Sequence, residues 1–249
     1  MDAVYVPSRA TGSELIDKGI PESKIRLYPR GINTRRFHPA KRNGFWHSSY
    51  RLTEQELKLL YVGRISKEKS LDVLVQAFKR IEKQVPHTRL ILVGDGPYRR
   101  EMQKELKGAR VLFTGEITGE ALAQAYASSD LFIFPSSTDT FGNVVLEAQA
   151  SGIPVVVTDK GGPKENLIDG QSGVVVPAES PQAIADAVSR LCSQPERLSR
   201  MKQAARAYME NRSFDAAFLK TWELYKETTP ATKPSDSGFS FEQLLSMAS

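Results

Sequence analysis

The sequence predicts an α/β fold built on a Rossmann-like, doubly wound parallel sheet. Two observations support this prediction. Short apolar runs alternate with amphipathic helical patterns from residue 57 to residue 193, and the runs are apolar throughout. Strands of that kind are covered on both faces, as in parallel sheets. Strict alternation of strands and helices is typical of sheets with right-handed crossovers, whose ligands bind at the carboxyl ends of the strands.

The individual elements of this central part follow from the hydrophobic pattern. Strands are predicted where an apolar run ends at a glycine, a proline or a polar residue, and helices where apolar residues recur every three or four positions. The predicted strands are residues 57–62, 89–93, 111–113, 131–134, 154–157 and 173–176. The predicted helices are residues 71–84, 98–106, 119–128, 142–151, 180–192 and a short one at 163–168.

The ends of the chain have a different pattern. Strands at residues 3–6 and 24–28 flank a helix at 8–18, and the stretch 35–51 is polar and predicted irregular. We interpret residues 1–40 as the end of a preceding α/β domain, 41–56 as a linker and 57–193 as the Rossmann-like domain. Carboxy-terminal helices at 195–209 and 214–227 fall within residues 194–228, and 229–249 is predicted to be a disordered tail with a short helix at 239–247.

Composition narrows the class of protein. The 34 basic and 29 acidic residues are mixed along the 249-residue chain, which disfavours nucleic-acid binding. The net charge of +5 is compatible with weak attraction to an anionic membrane surface or to a phosphorylated substrate. A single cysteine, no signal-peptide pattern and no apolar run of the roughly 20 residues that span a bilayer predict a cytoplasmic, at most membrane-peripheral, protein. Three scattered histidines predict no metal site.

The strongest functional signal is the stretch from Asp139 to Glu147, which follows an apolar strand. The two carboxylates are eight residues apart and enclose Phe141, Gly142 and Asn143, where a loop turns into a helix. A helix start carries unpaired N–H groups that bind anions. The two carboxylates could act as a general acid and base, or they could bind hydroxyl groups on either side of a phosphate. Ordinary solvated surface carboxylates are the third interpretation. Because Glu147 lies in an apolar helix, it needs hydrogen-bond donors if it is buried.

One loop that follows a strand carries two further candidates. In the loop that starts at Gly63, Glu68 stands where a Walker A loop requires its second glycine, so a P-loop is disfavoured. Arg64 and Lys69 remain as two cations for a diphosphate, although a solvated basic loop explains them equally well.

Glycines mark two more strand-exit loops. In the loop that contains Gly94 and Gly96, Arg99 stands where a dinucleotide fingerprint requires its third glycine, so a tight turn near a ligand is the better interpretation. The pair at 161–162 allows the backbone to approach a ligand closely. Either loop is also explained as a tight turn without any ligand.

Taken in order, these loop motifs closely resemble the carboxy-terminal half of the retaining glycosyltransferases of family 4, the glycosyl transferases group 1, which have the GT-B fold. The resemblance covers about residues 1–227, and the stretch 139–148 is most similar to bacterial mannosyl- and sulfoquinovosyl-type members. The family's motif of two glutamates separated by seven residues appears here as Asp139 and Glu147. The aspartate side chain is shorter than glutamate by about one methylene group, so it reaches less far toward a sugar. The matching segments are residues 63–69, 92–97, 113–115, 134–136, 139–148, 151–156 and 161–162.

The resemblance implies that this half binds a UDP- or GDP-linked sugar donor without a metal or other cofactor. Arg64 and Lys69 would hold the diphosphate, together with the N–H groups at the helix start. Glu147 would bind the ribose hydroxyls and Asp139 the donor sugar, and the base would lie near residues 113–115. The donor-binding residues implied in this way are Gly63, Arg64, Lys69, Gly94, Gly96, Thr114, Gly115, Phe141, Gly142, Asn143, Val144 and Glu147.

The implied reaction is transfer of the sugar to an acceptor hydroxyl on a lipid or a glycan. Residues 1–33 resemble only the last strand, helix and strand of the family's amino-terminal domain, so a partner chain that supplies the remainder is an expectation. A non-catalytic nucleotide-sugar-binding module, or an inactive fragment without the acceptor domain, is the alternative. An epimerase or a phosphorylase is disfavoured, because the sequence shows neither additional acid/base residues nor a convincing pyridoxal lysine.

Overall fold

The computed structural model describes residues 3–228, and the predictions for residues 229–249 lie outside this range. The amino-terminal part contains β1 (Val4–Val6), α1 (Arg9–Asp17), β2 (Ile25–Leu27) and α2 (Phe45–Tyr50). The strands β1 and β2 pair in parallel as a small sheet of their own. The predicted strand–helix–strand unit is therefore confirmed.

The main sheet has six parallel strands in the order β5-β4-β3-β6-β7-β8. The order reverses between β3 and β6, and such a switch point is where doubly wound sheets bind their ligands. The predicted fold class is confirmed. The strands are β3 (Leu57–Val62), β4 (Thr88–Val93), β5 (Val111–Gly115), β6 (Leu131–Phe134), β7 (Val155–Thr158) and β8 (Gly173–Val176).

The helices that cover this sheet lie close to their predicted positions. The helix α3 buries its apolar face completely, because Leu71, Leu74, Val75, Phe78 and Ile81 recur at helical spacing. Burial of each such side chain contributes about 1.5–3 kcal/mol. The predicted short helix at 163–168 is a 3-10 turn, Pro163–Asn166. The helices are α3 (Leu71–Gln84), α4 (Arg99–Glu105), α5 (Gly119–Ala127), α6 (Asn143–Ala150), α7 (Pro181–Cys192), α8 (Pro195–Glu210) and α9 (Phe214–Thr228).

The stretch 35–51 differs from its prediction, because it is packed rather than irregular. It contains a 3-10 turn and the helix α2, whose Trp46 is 1% exposed. The Trp46 indole N–H donates to the Ala125 carbonyl (3.1 Å) and to Ser129 Oγ (3.0 Å), which anchors this segment at α5. A helix of six residues is too short to show a hydrophobic period, so the pattern missed it. The domain boundaries stay a prediction.

This anchor gives a first testable expectation. Trp46→Phe removes the indole N–H and part of the buried ring, so the free energy of unfolding should fall by about 1–3 kcal/mol. Trp222 on α9 is 39% exposed. Trp222→Phe should therefore change the free energy of unfolding by less than about 0.5 kcal/mol. Urea unfolding followed by circular dichroism measures both. Equal effects of the two substitutions would show that α2 is not an anchored element.

Backbone groups of the amino-terminal part also bond to the main domain. The Glu165 carboxylate accepts the backbone N–H groups of Arg9 and Ala10 at the start of α1, each at 2.8 Å. The backbone of Ile32 pairs with Arg212 and Phe214 around the start of α9. Among residues 3–228, no helix is both long and apolar enough to cross a membrane.

Candidate functional site

The loops after β3 and β6 meet at the switch point of the main sheet. Lys69 Nζ lies 3.0 Å from Asp139 Oδ2, and the Thr138 hydroxyl donates to the Glu68 carbonyl at 3.3 Å. Because the carboxyl ends of neighbouring parallel strands lie at one edge of the sheet, two predicted site residues 70 positions apart become partners. The loops of residues 63–70 and 135–142 thus form one continuous surface, called the wall below.

The Lys69–Asp139 ion pair is mostly sheltered, since the two side chains are 20% and 22% exposed. Sequence reasoning gave each residue a role toward a ligand but missed that they pair with one another. The pair compensates the ammonium charge in the protein without ligand. Lys69 Nζ also lies 3.9 Å from Glu68 Oε1, so an anion at this ammonium group would compete with two carboxylates, of which Asp139 is the nearer.

Arg64 lies at the end of the same wall with its side chain exposed. Its backbone is fixed, because the Tyr61 hydroxyl donates to the Arg64 carbonyl at 2.9 Å. Burial raises the pKa of Tyr61 well above its ordinary value, so this hydroxyl keeps its proton. The Arg64 guanidinium forms no salt bridge with any residue in the range 3–228, and it is available to an anion.

The start of α6 has the backbone geometry that an anion site would need at the position where the sequence predicts one. The helix begins at Asn143, one residue later than predicted, because Gly142 has a left-handed backbone (φ 77°, ψ 64°) and acts as the N-cap. No side chain caps the helix. The Val145 N–H donates to the Gly142 carbonyl at 3.0 Å, so among the first-turn N–H groups those of Asn143 and Val144 remain for a ligand. A Cβ on Gly142 would lie 3.0 Å from Pro163 Cγ, so a larger residue would press on the Pro163 ring as well as strain the left-handed backbone.

Phe141, just before the helix start, is buried and packs under a cation from the amino-terminal part. The Arg30 guanidinium lies 5.2 Å from the centre of the Phe141 ring. Phe141 also borders a cavity of about 800 Å³ between β1, β2 and α9, whose lining includes Arg9, Arg30 and Lys220. Asn143 and Val144, on the other side of the N-cap, are exposed and half-buried.

Glu147, one turn into α6, already has a donor within the protein. The Tyr126 hydroxyl donates to Glu147 Oε2 at 2.8 Å, whereas sequence reasoning expected the donors to come from a ligand. The carboxylate's other oxygen, Oε1, has no hydrogen-bond partner among residues 3–228. Burial raises the pKa of Glu147, while the Tyr126 hydrogen bond and the charge of Arg36 act in the opposite direction.

The raised pKa of Glu147 predicts opposite effects on stability and binding. The folded state holds the Glu147 proton more tightly than the unfolded state does, so ionisation above the ordinary pKa of about 4.3 disfavours folding. Glu147→Gln should therefore stabilise the ligand-free chain at pH 7, by about 0.5–2 kcal/mol. The gain should shrink towards pH 4, and affinity for a ribose-bearing ligand should fall. Urea unfolding at both pH values tests this, and a destabilised variant at pH 7 would contradict it.

Residues 113–115, predicted near a base, lie at the end of β5 beside the Gly94 turn that follows β4. The Gly94 N–H donates to the Gly115 carbonyl at 2.8 Å, and the Thr114 hydroxyl donates to the same carbonyl at 2.7 Å. The Thr114 proton is thus used within the protein. Gly94 also lies so close to the Gly63 carbonyl that no side chain would fit, which brings this turn against the wall.

The fold and the site define the class of protein. A doubly wound sheet carries at its switch point an uncapped helix start, with Arg64 and the Lys69–Asp139 pair nearby and Glu147 inside the helix. This arrangement suits a phosphate-bearing ligand with hydroxyl groups. The class is a doubly wound α/β domain with a candidate anion site at its switch point.

Comparison with known proteins gives the family. The family model of the glycosyl transferases group 1 matches residues 43–208, and the chain belongs to that family. It is 37% identical over 192 residues to the sulfoquinovosyl transferase SQD2 of Arabidopsis thaliana, covering 76% of this chain and 37% of that relative. It is 31% identical over 221 residues to a GDP-mannose-dependent alpha-mannosyltransferase of Corynebacterium glutamicum, covering 89% and 51%. The chain thus spans about half, or less, of these relatives' length. The predicted resemblance is confirmed.

Solved structures agree on the fold. A sucrose-phosphate synthase from Thermosynechococcus elongatus superimposes with a TM-score of 0.79 at 28% identity, covering 91% of this chain and 58% of that one. Anabaena HepE, solved in complex with UDP and glucose, superimposes with a TM-score of 0.80 at 21% identity, covering 91% and 63%. The expected carboxy-terminal part of a GT-B fold is confirmed.

Proposed function

We propose that this chain is the donor-binding half of a retaining glycosyltransferase, which transfers a sugar from a UDP- or GDP-linked donor to an acceptor hydroxyl. The observation that carries the proposal is the uncapped start of α6 at the switch point, with cations from the β3 loop nearby. The GDP-mannose-dependent relative supports a nucleoside diphosphate sugar as the donor.

The chemical task of such a site is to stabilise the departing diphosphate. Breaking the bond between the sugar and the diphosphate leaves negative charge on the phosphate oxygens. Arg64, Lys69 and the first-turn N–H groups of α6 offer fixed positive charge and dipoles to those oxygens, which is preorganised electrostatic stabilisation. This mechanism requires no metal. By resemblance to the family, the leaving group assists attack of the acceptor on the same face of the sugar.

The ion pair gives Asp139 its role in this proposal. Binding of the diphosphate draws Lys69 away from Asp139 and leaves the carboxylate to accept a hydrogen bond from a sugar hydroxyl. Glu147 Oε1, which lacks a partner among the described residues, accepts from the ribose. The carboxylates thus bind hydroxyl groups on either side of the diphosphate, and neither needs to transfer a proton.

In this proposal the side of the donor site that faces the wall is supplied by a part of the enzyme outside the described residues. The small sheet β1–β2 and the exposed apolar side chains of α9 form the seat for the remaining amino-terminal half, supplied by the same polypeptide or by a partner chain. These side chains are Phe214, Phe218, Leu219, Trp222 and Tyr225. The acceptor is a lipid or a glycan, and the net charge of +5 favours weak association with an anionic membrane surface.

Calorimetry on the 249-residue chain tests donor binding. The proposal predicts one site for UDP or GDP, which should bind about tenfold or more tightly than UMP or GMP because the diphosphate gains charge-assisted hydrogen bonds. Absence of binding to both diphosphates would contradict it. A transfer assay with the amino-terminal half of a relative added then separates an enzyme from a non-catalytic module, since only an enzyme transfers sugar.

A further inference from the structure

We propose that Tyr126 is a positioning residue that orients the Glu147 carboxylate toward the ribose of the donor. Tyr126 lies on α5, outside every motif that the sequence singled out, and Glu147 lies on α6. This inference rests on the proposed function, because it assigns Tyr126 an effect on the ribose contact of that site.

The geometry fixes both ends of this interaction. The Tyr126 ring is fully buried, with the Phe37 ring packed edge-on at 5.7 Å and the Phe132 ring tilted at 5.8 Å. The ring therefore cannot swing, and its hydroxyl stays 2.8 Å from Glu147 Oε2. Burial and the neighbouring carboxylate raise the pKa of Tyr126 well above its ordinary value, so the phenol remains a donor.

The hydrogen bond distinguishes two otherwise equivalent carboxylate oxygens. A free glutamate side chain rotates and loses rotamer entropy when it binds a ligand, which weakens binding. Because the phenol holds Oε2, the carboxylate plane is set before a ligand arrives and Oε1 is left to accept from a ribose hydroxyl. Charge-assisted hydrogen bonds of this kind are strong and directional.

A purely structural role for the Tyr126 hydroxyl is the alternative, and the chain offers a matched control for it. The Tyr98 hydroxyl donates to Glu105 Oε1 at 2.5 Å, and the Tyr98 side chain is 4% exposed. This is a second, partly buried tyrosine–glutamate hydrogen bond, within the α4 region and outside the set of proposed donor contacts. Tyr126→Phe and Tyr98→Phe each remove a tyrosine hydroxyl that donates to a glutamate.

The test compares a nucleoside diphosphate with its 2′,3′-dideoxy counterpart, which lacks the ribose hydroxyls. Calorimetry on wild type and both tyrosine variants gives the ratio of the two affinities, using whichever of UDP and GDP the chain binds. Wild type should prefer the ribose form by about tenfold or more. Tyr126→Phe should reduce this preference by about fivefold, and Tyr98→Phe should leave it unchanged. In a Glu147→Gln background, Tyr126→Phe should reduce it no further.

The outcomes separate this inference from the function on which it rests. A Tyr126→Phe variant that binds both nucleotides more weakly but keeps the full ribose preference would show a merely structural role and overturn the inference. Wild type that binds the two nucleotides equally would overturn the ribose role of Glu147, and this inference with it. Wild type that binds neither would reject the proposed function itself. Urea unfolding of each variant confirms that folded protein is being compared.

Discussion

Gly142→Ala is expected to weaken binding of a nucleoside diphosphate by about 100-fold, because it disturbs two or more charge-assisted hydrogen bonds at once. Alanine in the left-handed conformation of Gly142 is strained by about 1–2 kcal/mol. Its Cβ would also press against the ring of Pro163 at 3.0 Å. The first turn of α6 has to shift, and its N–H groups then no longer point at the diphosphate.

Gly170→Ala is the control for backbone strain in this experiment. Gly170 has almost the same backbone (φ 74°), and a Cβ there would meet no atom within 4 Å. Both substitutions should lower the free energy of unfolding, but only Gly142→Ala should weaken binding in calorimetry. If Gly142→Ala binds the nucleotide as wild type does, the helix start is not the phosphate site.

Arg64→Ala is expected to have the second-largest effect, a loss of affinity of about 10- to 100-fold with almost no change in stability. The Arg64 residue is exposed and its guanidinium forms no salt bridge with a described residue, so its removal breaks no ion pair among residues 3–228. The backbone carbonyl, which accepts from Tyr61, is retained. In a full-length enzyme the same substitution should lower turnover, since the charge on the leaving diphosphate is less well stabilised.

Arg80→Ala provides the matched control for removing a positive charge. Arg80 is exposed on α3 and likewise forms no salt bridge with a described residue. If general electrostatic attraction binds the nucleotide, both variants should lose the same affinity, and the affinity of both should depend on salt in the same way. If the Arg64 guanidinium makes a specific contact, only Arg64→Ala should lose affinity for the nucleotide. Unchanged affinity in Arg64→Ala would remove this residue from the site.

Much of the fold follows from the sequence because strand and helix patterns are local. The apolar stripe of α3 and the fully apolar run of β6 each specify their element within a few residues. Strict alternation of these elements then gives a doubly wound sheet, and the switch point gathers the loops after β3 and β6. The neighbourhood of Lys69 and Asp139 was therefore implicit in the prediction, even though their ion pair was not stated.

What the sequence did not reveal are contacts that depend on exact side-chain placement. Tyr126 and Glu147 are 21 positions apart on two different helices, and nothing in the pattern of α5 marks this tyrosine. Trp46 lies in a helix too short to show a period, and it is placed by contacts with α5. The start of α6 shifted by one residue because the backbone of Gly142 lies outside the helical region. Tertiary packing decides each of these features.

A crystal structure of the chain with UDP or GDP tests the central claim most directly. We expect diphosphate oxygens within hydrogen-bond distance of the Asn143 and Val144 N–H groups at the start of α6 and of the Arg64 guanidinium. We also expect a ribose hydroxyl at Glu147 Oε1. A nucleotide seated elsewhere, for example in the cavity lined by Arg9, Arg30 and Lys220, would contradict the account.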